Sequence, residues 1–206
     1  LVVQSPHKTL PSLTQTALLH LGGRYGPALA GKVERQLDVF ETSSPSYPLM
    51  ASLDGCTGLL AAHGDTWFAA WANRLDRFDA AVAGLARLRV LGRGADAPQG
   101  HPACFGLDRG KILVDGAAAG LTGPQLARLL RRDHGFEPEM TCGSLLLAMT
   151  SPCDADDTLD RFAAALRAID DAAPGCGRPP QHTPPPPPGR AVCTIAQALR
   201  RPSAPC

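Results

Sequence analysis

Alternating apolar and polar residues mark out a first group of elements in residues 1–91. Residues 9–21 interleave leucine and alanine with serine, threonine and glutamine, which is typical of a half-buried strand. Residues 32–40 repeat apolar side chains at helical spacing, and helices are also predicted over residues 49–62 and 66–87. The longest helix has one apolar face, formed by Trp67, Trp71, Leu75, Phe78, Val82 and Leu85.

A second group of elements surrounds a loop rich in glycine and proline at residues 92–106. In chain order the predicted elements are strands over 88–91 and 111–115, a helix over 122–134, strands over 140–142 and 145–150, and a helix over 154–171. Thr122 is suited to cap the first helix and Gly135 to end it. We expect an α+β layer without catalytic residues, with the sheet on one side and the helices on the other. Its predicted core positions are Ile112, Val114, Leu126, Leu129, Leu130, Leu145, Leu147, Phe162 and Leu166.

The amino-acid composition limits the kinds of binding partner that we expect. The 206 residues are enough for one or two domains, and 20 basic against 19 acidic residues give a net charge of +1. This balance indicates neither nucleic acid nor an anionic membrane as the partner. No apolar run reaches the ~18 residues of a membrane span, and the start has no basic segment typical of a signal peptide. We therefore expect a soluble, cytoplasmic protein that binds a small molecule or another protein.

The seven cysteines do not form a recognisable framework. They lie far apart, contain no C-x-x-C pair, and are not accompanied by a histidine pair at zinc-ligand spacing. We interpret them as free, mostly structural thiols of a reducing compartment, and we predict no metal site.

Lys8 is one of only three lysines in the chain and stands in the stretch SPHK. A lysine acts as a Schiff-base nucleophile only when its amine is neutral part of the time, which requires burial or a nearby cation. If this stretch is extended, Ser5 and His7 point the same way and can address one ligand while Lys8 points elsewhere. By itself the motif favours a solvated lysine beside a capping serine.

Three longer blocks change that interpretation. In order and spacing, SPHKTLPSLTQTALLH, TSSPSYPLMASLD and LTGPQLARLLRRDHGFEPEM resemble the major domain of the bacterial ornithine/lysine/arginine decarboxylases. These are pyridoxal-phosphate (PLP) enzymes of the aspartate-aminotransferase fold. The resemblance runs from Leu1 to about Asp171, and TIAQALRRPS looks like a degraded form of the segment that leads to the family's C-terminal domain.

The resemblance implies a fold of the α/β and α+β class, a fragment of the fold-type I PLP-dependent transferases. Residues 1–92 would be the C-terminal part of the PLP-binding large domain, residues 107–171 a small α+β subdomain, and residues 172–206 a proline-rich linker toward a further domain. In the family, an aspartate that pairs with the pyridine nitrogen and a histidine that stacks on the ring lie upstream of the lysine. We therefore expect the chain to be a fragment, or a degenerate relative, that is inactive alone.

The same resemblance assigns roles to individual residues. Lys8 matches the lysine that binds the cofactor as a Schiff base, and Ser5 and His7 match its neighbours at the cofactor phosphate. Thr42, Ser43 and Ser44 match a hydroxyl-rich turn that serves the phosphate in the partner subunit, which implies a homodimer or a higher homo-oligomer. Hydroxyls and turn amides are suitable phosphate donors. Freed Lys8 or His7 would return the proton to Cα.

The function implied is decarboxylation of arginine, lysine or ornithine to the amine and CO2, a step of polyamine biosynthesis. The blocks do not select among the three substrates, because the family's contacts to the end of the substrate lie largely outside them. Arginine is the first expectation on its frequency in the family alone. Two alternatives remain open. One is another fold-type I PLP enzyme, an aminotransferase or an aldolase-like lyase. The other is a non-catalytic remnant that only dimerises, in which Lys8 is a relic.

Overall fold

The computed structural model describes residues 1–24, 26–93, 106–173, 189, 192–194 and 197. It begins with a small antiparallel pair of strands, β1 (Val2–Gln4) and β2 (Leu18–His20), in which Val3 lies opposite Leu19. A single 3-10 turn, Pro6–Lys8, follows β1. Helix α1 (Gly26–Phe40) confirms the predicted helix at residues 32–40 and begins earlier.

The prediction of one strand over residues 9–21 is wrong for most of its length. Only Leu18–His20 is a strand, and residues 9–17 form turns. The hydroxyls that alternate along this segment bond to one another and to neighbouring carbonyls, as between Ser12 and Thr16 at 2.7 Å. Side chains of this kind offer the backbone an alternative to strand pairing, and Pro11 removes one donor.

Helix α2 (Tyr47–Val82) is one continuous helix of 36 residues where two helices, 49–62 and 66–87, were predicted. Pro48 lies in its first turn, where a missing N–H costs no hydrogen bond. Gly55 and Gly58 do not interrupt it, and a Cβ added at either position would meet no atom within 4 Å. Glycine lowers helix propensity without forbidding the helix, which explains the error.

A four-stranded antiparallel sheet organises the C-terminal half of the described chain. Its strands are β3 (Arg89–Leu91), β4 (Lys111–Asp115), β5 (Met140–Cys142) and β6 (Leu145–Met149), in the order β3-β4-β6-β5. A short 3-10 turn at Ala117–Ala119 follows β4. All four predicted strands are confirmed, together with the mixed α/β character of the chain.

Helix α3 (Gly123–His134) has the ends that its sequence predicts. Thr122 and Gln125 form a reciprocal capping box, and Gly135 ends the helix with a φ of 71° in the left-handed region that favours glycine. Helix α4 is Thr158–Ala172, so its predicted start at residue 154 is four residues early. The side chain of Arg74 in α2 donates to Pro152 O at 2.9 Å and to Asp156 at 2.8 Å, which holds the preceding segment in an irregular conformation.

Helices α2, α3 and α4 cover one face of the sheet around a single core. Phe162 of α4 stacks on Phe78 of α2 at 5.7 Å between ring centroids and meets Phe136 at 5.1 Å. In β6 the fully buried residue is Leu146, and the predicted core positions Leu145 and Leu147 are only half-buried. The other predicted core residues that are fully or almost fully buried are Ile112, Val114, Leu126, Leu130 and Leu166, whereas Leu129 is partly buried.

The core includes residues from both sides of the predicted domain boundary at residue 92. Val90 of β3 pairs with Val114 of β4, and Phe78 of α2 stacks on Phe162 of α4. The division into domains at residue 92 stays a prediction. The loop at 92–106 and the linker at 172–206 lie largely outside the described residues.

A buried carboxylate, Asp170 of α4, holds the segment between α2 and β3. It accepts hydrogen bonds from the backbone N–H groups of Ala86 and Arg87 at 2.8 Å and of Leu88 at 2.6 Å. Arg87 in turn donates from its guanidinium to the Asp170 carbonyl at 2.7 Å. Burial by itself raises the pKa of Asp170, but the three N–H donors outweigh it and leave the pKa below its ordinary value.

Candidate active site

Lys8 lies at the end of the 3-10 turn that follows β1. Pro6 begins the turn and is buried, which anchors it, and the Lys8 N–H donates to the Ser5 carbonyl at 3.1 Å. The Lys8 side chain is exposed, and no carboxylate of the described residues forms an ion pair with it. The amine is therefore accessible to a small molecule.

The sequence places Ser5 and His7 on the same side of the chain if their segment is extended. The segment is not an extended strand. Their segment is a 3-10 turn because proline fixes φ near the helical value at its first position. Ser5 precedes the turn and is exposed, whereas His7 is half-buried and its Nδ1 lies 2.7 Å from the Thr16 carbonyl oxygen. The structure thus keeps Ser5, His7 and Lys8 on one turn but gives each a different environment.

Sequence reasoning missed a hydroxyl network behind this turn. Thr16 is 2% exposed, its hydroxyl donates to the Leu13 carbonyl at 2.9 Å, and the same hydroxyl accepts from the Ser12 hydroxyl at 2.7 Å. Ser52 of α2 accepts from the Leu13 N–H at 2.6 Å and lies 3.4 Å from the Ser12 hydroxyl. The serines and threonines of residues 12–16 were the available signal, but their alternation was interpreted as a strand.

Gln15 has the conformation that makes this network possible. Its φ of 81° makes it the only non-glycine with a positive φ in the described part of the chain. A side chain in that region is strained, and such strain persists only where surrounding contacts hold it. Gln15 directly precedes Thr16, whose carbonyl oxygen contacts His7.

The predicted phosphate turn, Thr42–Ser44, connects α1 to α2. All three residues are exposed, and Thr42 Oγ1 accepts the Ser44 N–H at 3.1 Å. Exposed apolar residues flank the turn: Val39 is 69%, Phe40 82% and Tyr47 78% exposed. The turn leads directly into α2, whose Ser52 contacts the loop that follows Lys8.

Other potential chemistry is sparse in the part of the chain that the structure describes. No group of three or more His, Cys, Asp or Glu residues is placed to hold a metal ion there. Cys56, Cys142, Cys153 and Cys193 are free thiols, and only the first of these four is buried. Burial, together with the nearby Cys153, raises the pKa of Cys56 and keeps it in the unreactive thiol form. No helix among the described residues is long and apolar enough to cross a bilayer.

The turn with Lys8, the hydroxyl loop and all of α2 lie within one stretch that is similar to a known family. Residues 1–84 match the family model for the major domain of the Orn/Lys/Arg decarboxylases. Two curated arginine decarboxylases are also similar to this chain. The chain is 29% identical over 171 residues to the arginine decarboxylase of Bacillus subtilis, covering 80% of this chain and 33% of the relative. With the arginine decarboxylase of Bacillus cereus it shares 27% identity over 165 residues, which cover 80% of this chain and 35% of the relative.

The fold of this chain is also similar to part of a solved structure. The constitutive lysine decarboxylase of Escherichia coli superposes with a TM-score of 0.62 at 20% identity over 82% of this chain and 28% of that one. This shows that the chain has the fold of the corresponding part of a lysine decarboxylase. The chain spans about a third of the length of the curated relatives that it matches.

Proposed function

We propose that this chain is part of a PLP-dependent decarboxylase of the fold-type I class that converts a basic amino acid to its amine and CO2. The observation that carries the proposal is the position of Lys8: an accessible amine on an anchored turn, inside the stretch that matches the Orn/Lys/Arg decarboxylase major domain. The relatives named as arginine decarboxylases make arginine the first substrate to test. We also propose that the reaction belongs to polyamine biosynthesis and takes place in the cytoplasm.

The donor set of the chain fits PLP. Its aldehyde requires a primary amine, which Lys8 offers to solvent, and its phosphate requires hydroxyl and amide donors, which Ser5 and the Thr42–Ser44 turn expose. When bound, PLP supplies the electron sink that the loss of CO2 needs. His7, beside Lys8, is the residue of this chain that holds or moves a proton near the amine.

The test of this function is the fate of the substrate carboxylate. Carboxyl-labelled arginine, lysine and ornithine should each be incubated with PLP and the complete decarboxylase of which we propose this chain to be part, and both labelled CO2 and the 2-oxo acid measured. Release of CO2 with formation of the amine is expected, first from arginine. A 2-oxo acid without CO2 would identify an aminotransferase and contradict the proposal. Neither product, with Lys8 unreactive toward PLP, would leave a non-catalytic dimerising remnant.

We also propose that the active assembly is a homodimer in which Thr42, Ser43 and Ser44 serve the cofactor phosphate of the other subunit. The exposed hydroxyls and the exposed Phe40 and Tyr47 beside them support an interface at this turn. In a two-fold interface the same patch meets its own copy, so each turn is exchanged between subunits.

Complementation tests the exchange of turns. A heterodimer of a Lys8→Ala chain and a chain with Ser43→Ala and Ser44→Ala has one site with both an intact lysine and an intact turn, because the two come from different chains. Prepared from the complete protein, so that both chains carry the upstream residues of the family's site, and isolated with two affinity tags, it should regain decarboxylase activity that neither homodimer has.

The matched control carries all three substitutions on one chain and pairs it with an unchanged chain. This heterodimer should be inactive, because the remaining Lys8 receives the altered turn. Activity in the control together with none in the complementing pair would place the turn in its own subunit and overturn the proposed exchange.

A further inference from the structure

The environment of His7 determines which of its ring nitrogens is available for chemistry. Nδ1 lies 2.7 Å from the Thr16 carbonyl oxygen, and a carbonyl oxygen can only accept. Nδ1 must therefore carry a hydrogen, and in the neutral ring Nε2 is then a hydrogen-bond acceptor. We propose that the loop of residues 9–17, fastened by Ser52, positions His7 in the Nδ1–H tautomer and leaves Nε2 as its only nitrogen for the Lys8 site.

A network of hydrogen bonds holds Thr16 in place for its contact with His7. Thr16 is almost fully buried, and its hydroxyl bonds to Leu13 and Ser12 tie its peptide to the preceding turn. Ser52 fixes that turn to α2 from 39 residues away in sequence. Gln15, with its positive φ, directly precedes Thr16, and a strained residue is retained where its neighbours enforce it. Thr16, Ser12 and Ser52 are therefore positioning residues that act through His7.

This inference rests on the proposed function for its consequence. His7 and Lys8 belong to one 3-10 turn, so Nε2, the ring nitrogen left free of the Thr16 contact, is the base that His7 can offer to a substrate bound at this turn. When a substrate arrives as an ammonium ion, one of its N–H bonds breaks, the proton goes to Nε2, and the nitrogen keeps the electron pair. The ring is then an imidazolium, and its Nδ1–H still donates to the Thr16 carbonyl.

Nitrogen NMR of the protein without cofactor reads the tautomer directly. In long-range 1H–15N spectra of 15N-histidine protein at about pH 8.5, where ordinary imidazoles are neutral, the two ring nitrogens of each histidine separate into a protonated and an unprotonated type. His7→Gln identifies the His7 signals by their loss. Nδ1 of His7 should be the protonated nitrogen, and finding the hydrogen on Nε2 would overturn the proposal.

Two variants test whether the hydroxyl network does the positioning. Thr16→Val keeps the shape and the carbonyl but removes the hydroxyl, and Ser52→Ala removes the link to α2. Each should turn the single Nδ1–H form of His7 into a mixture of both tautomers. Thr57→Val is the matched control, because this exposed α2 threonine bonds only within its own helix, and it should leave the His7 signals unchanged.

An unchanged His7 tautomer in both variants, with the remaining spectrum intact, would overturn the role of the network. A variant that loses its fold is replaced by Ser12→Ala, which removes the hydroxyl between the other two. The outcome does not depend on PLP. Failure to bind PLP or to release CO2 would therefore contradict the proposed function while the tautomer result stands by itself.

Discussion

Lys8→Ala should abolish covalent labelling of the protein by PLP. In the unchanged chain, PLP followed by borohydride reduction should leave a stable adduct on the peptide that contains Lys8, because this amine is exposed on an anchored turn. The variant has no amine at that position, so the loss is expected to be complete. In the complete protein, decarboxylase activity should disappear with the label, and peptide mass spectrometry measures the adduct independently of activity.

Lys32→Ala is the control for this experiment. Lys32 is an exposed lysine of α1 and stands outside the SPHK block, so its removal should leave labelling and activity intact. The assignment fails if the adduct in the Lys8→Ala protein appears at Lys32 or Lys111 at the level seen in the unchanged chain. Labelling spread equally over all three lysines would show nonspecific reaction and would also contradict it.

Asp170→Ala should lower the free energy of unfolding by about 3 kcal/mol or more at neutral pH. The substitution leaves three backbone N–H groups of residues 86–88 without their acceptor, and a buried unsatisfied donor costs about 1–3 kcal/mol. Urea unfolding followed by circular dichroism measures the loss. Asp171→Ala is the matched control, because this neighbouring carboxylate is exposed, and it should change stability by no more than about 0.5 kcal/mol.

The contribution of Asp170 should also depend on pH. Its folded pKa is lowered below the unfolded value of about 3.9, so the carboxylate stabilises the fold fully above that value. As pH falls through the folded pKa, the native state takes up the proton and this stabilisation is lost. The difference in unfolding free energy between the unchanged protein and Asp170→Asn should therefore shrink below about pH 4. A difference that stays constant down to pH 2.5 would contradict the role given to the charge.

Local signals explain why the C-terminal layer could be predicted from sequence. Thr122 and Gln125 supply a capping box and Gly135 a left-handed end, and these features depend only on residues within a few positions. The inward residue of β6 could not be predicted, because Leu145, Leu146 and Leu147 are all apolar and an unbroken apolar run carries no alternation. Only the pairing of β6 with β4 and β5 selects Leu146 for the core.

Some residues of the candidate site could likewise be predicted from the sequence and others could not. Lys8 and His7 stand together in one short block, and the family resemblance identifies them from neighbouring residues. Thr16 and Ser52 escaped prediction, because their roles depend on a contact across about 40 residues of sequence and on the unusual backbone of Gln15. A run of alternating hydroxyl residues satisfies a strand and a hydrogen-bonded turn equally well.

Helix α2 contacts both the loop behind Lys8 and the hydrophobic core, and these two regions differ in how easily they open locally. Ser52 fastens the loop behind Lys8, and Phe78 lies in the core 26 residues later, about 39 Å along the axis at 1.5 Å per residue. Between them Gly55 and Gly58 each weaken an exposed stretch by about 1 kcal/mol relative to alanine. We therefore expect the amide hydrogens near Phe78 to exchange only when the core unfolds, and those near Ser52 to exchange through smaller openings. The candidate site thus stands on the part of the helix that can rearrange without unfolding the protein.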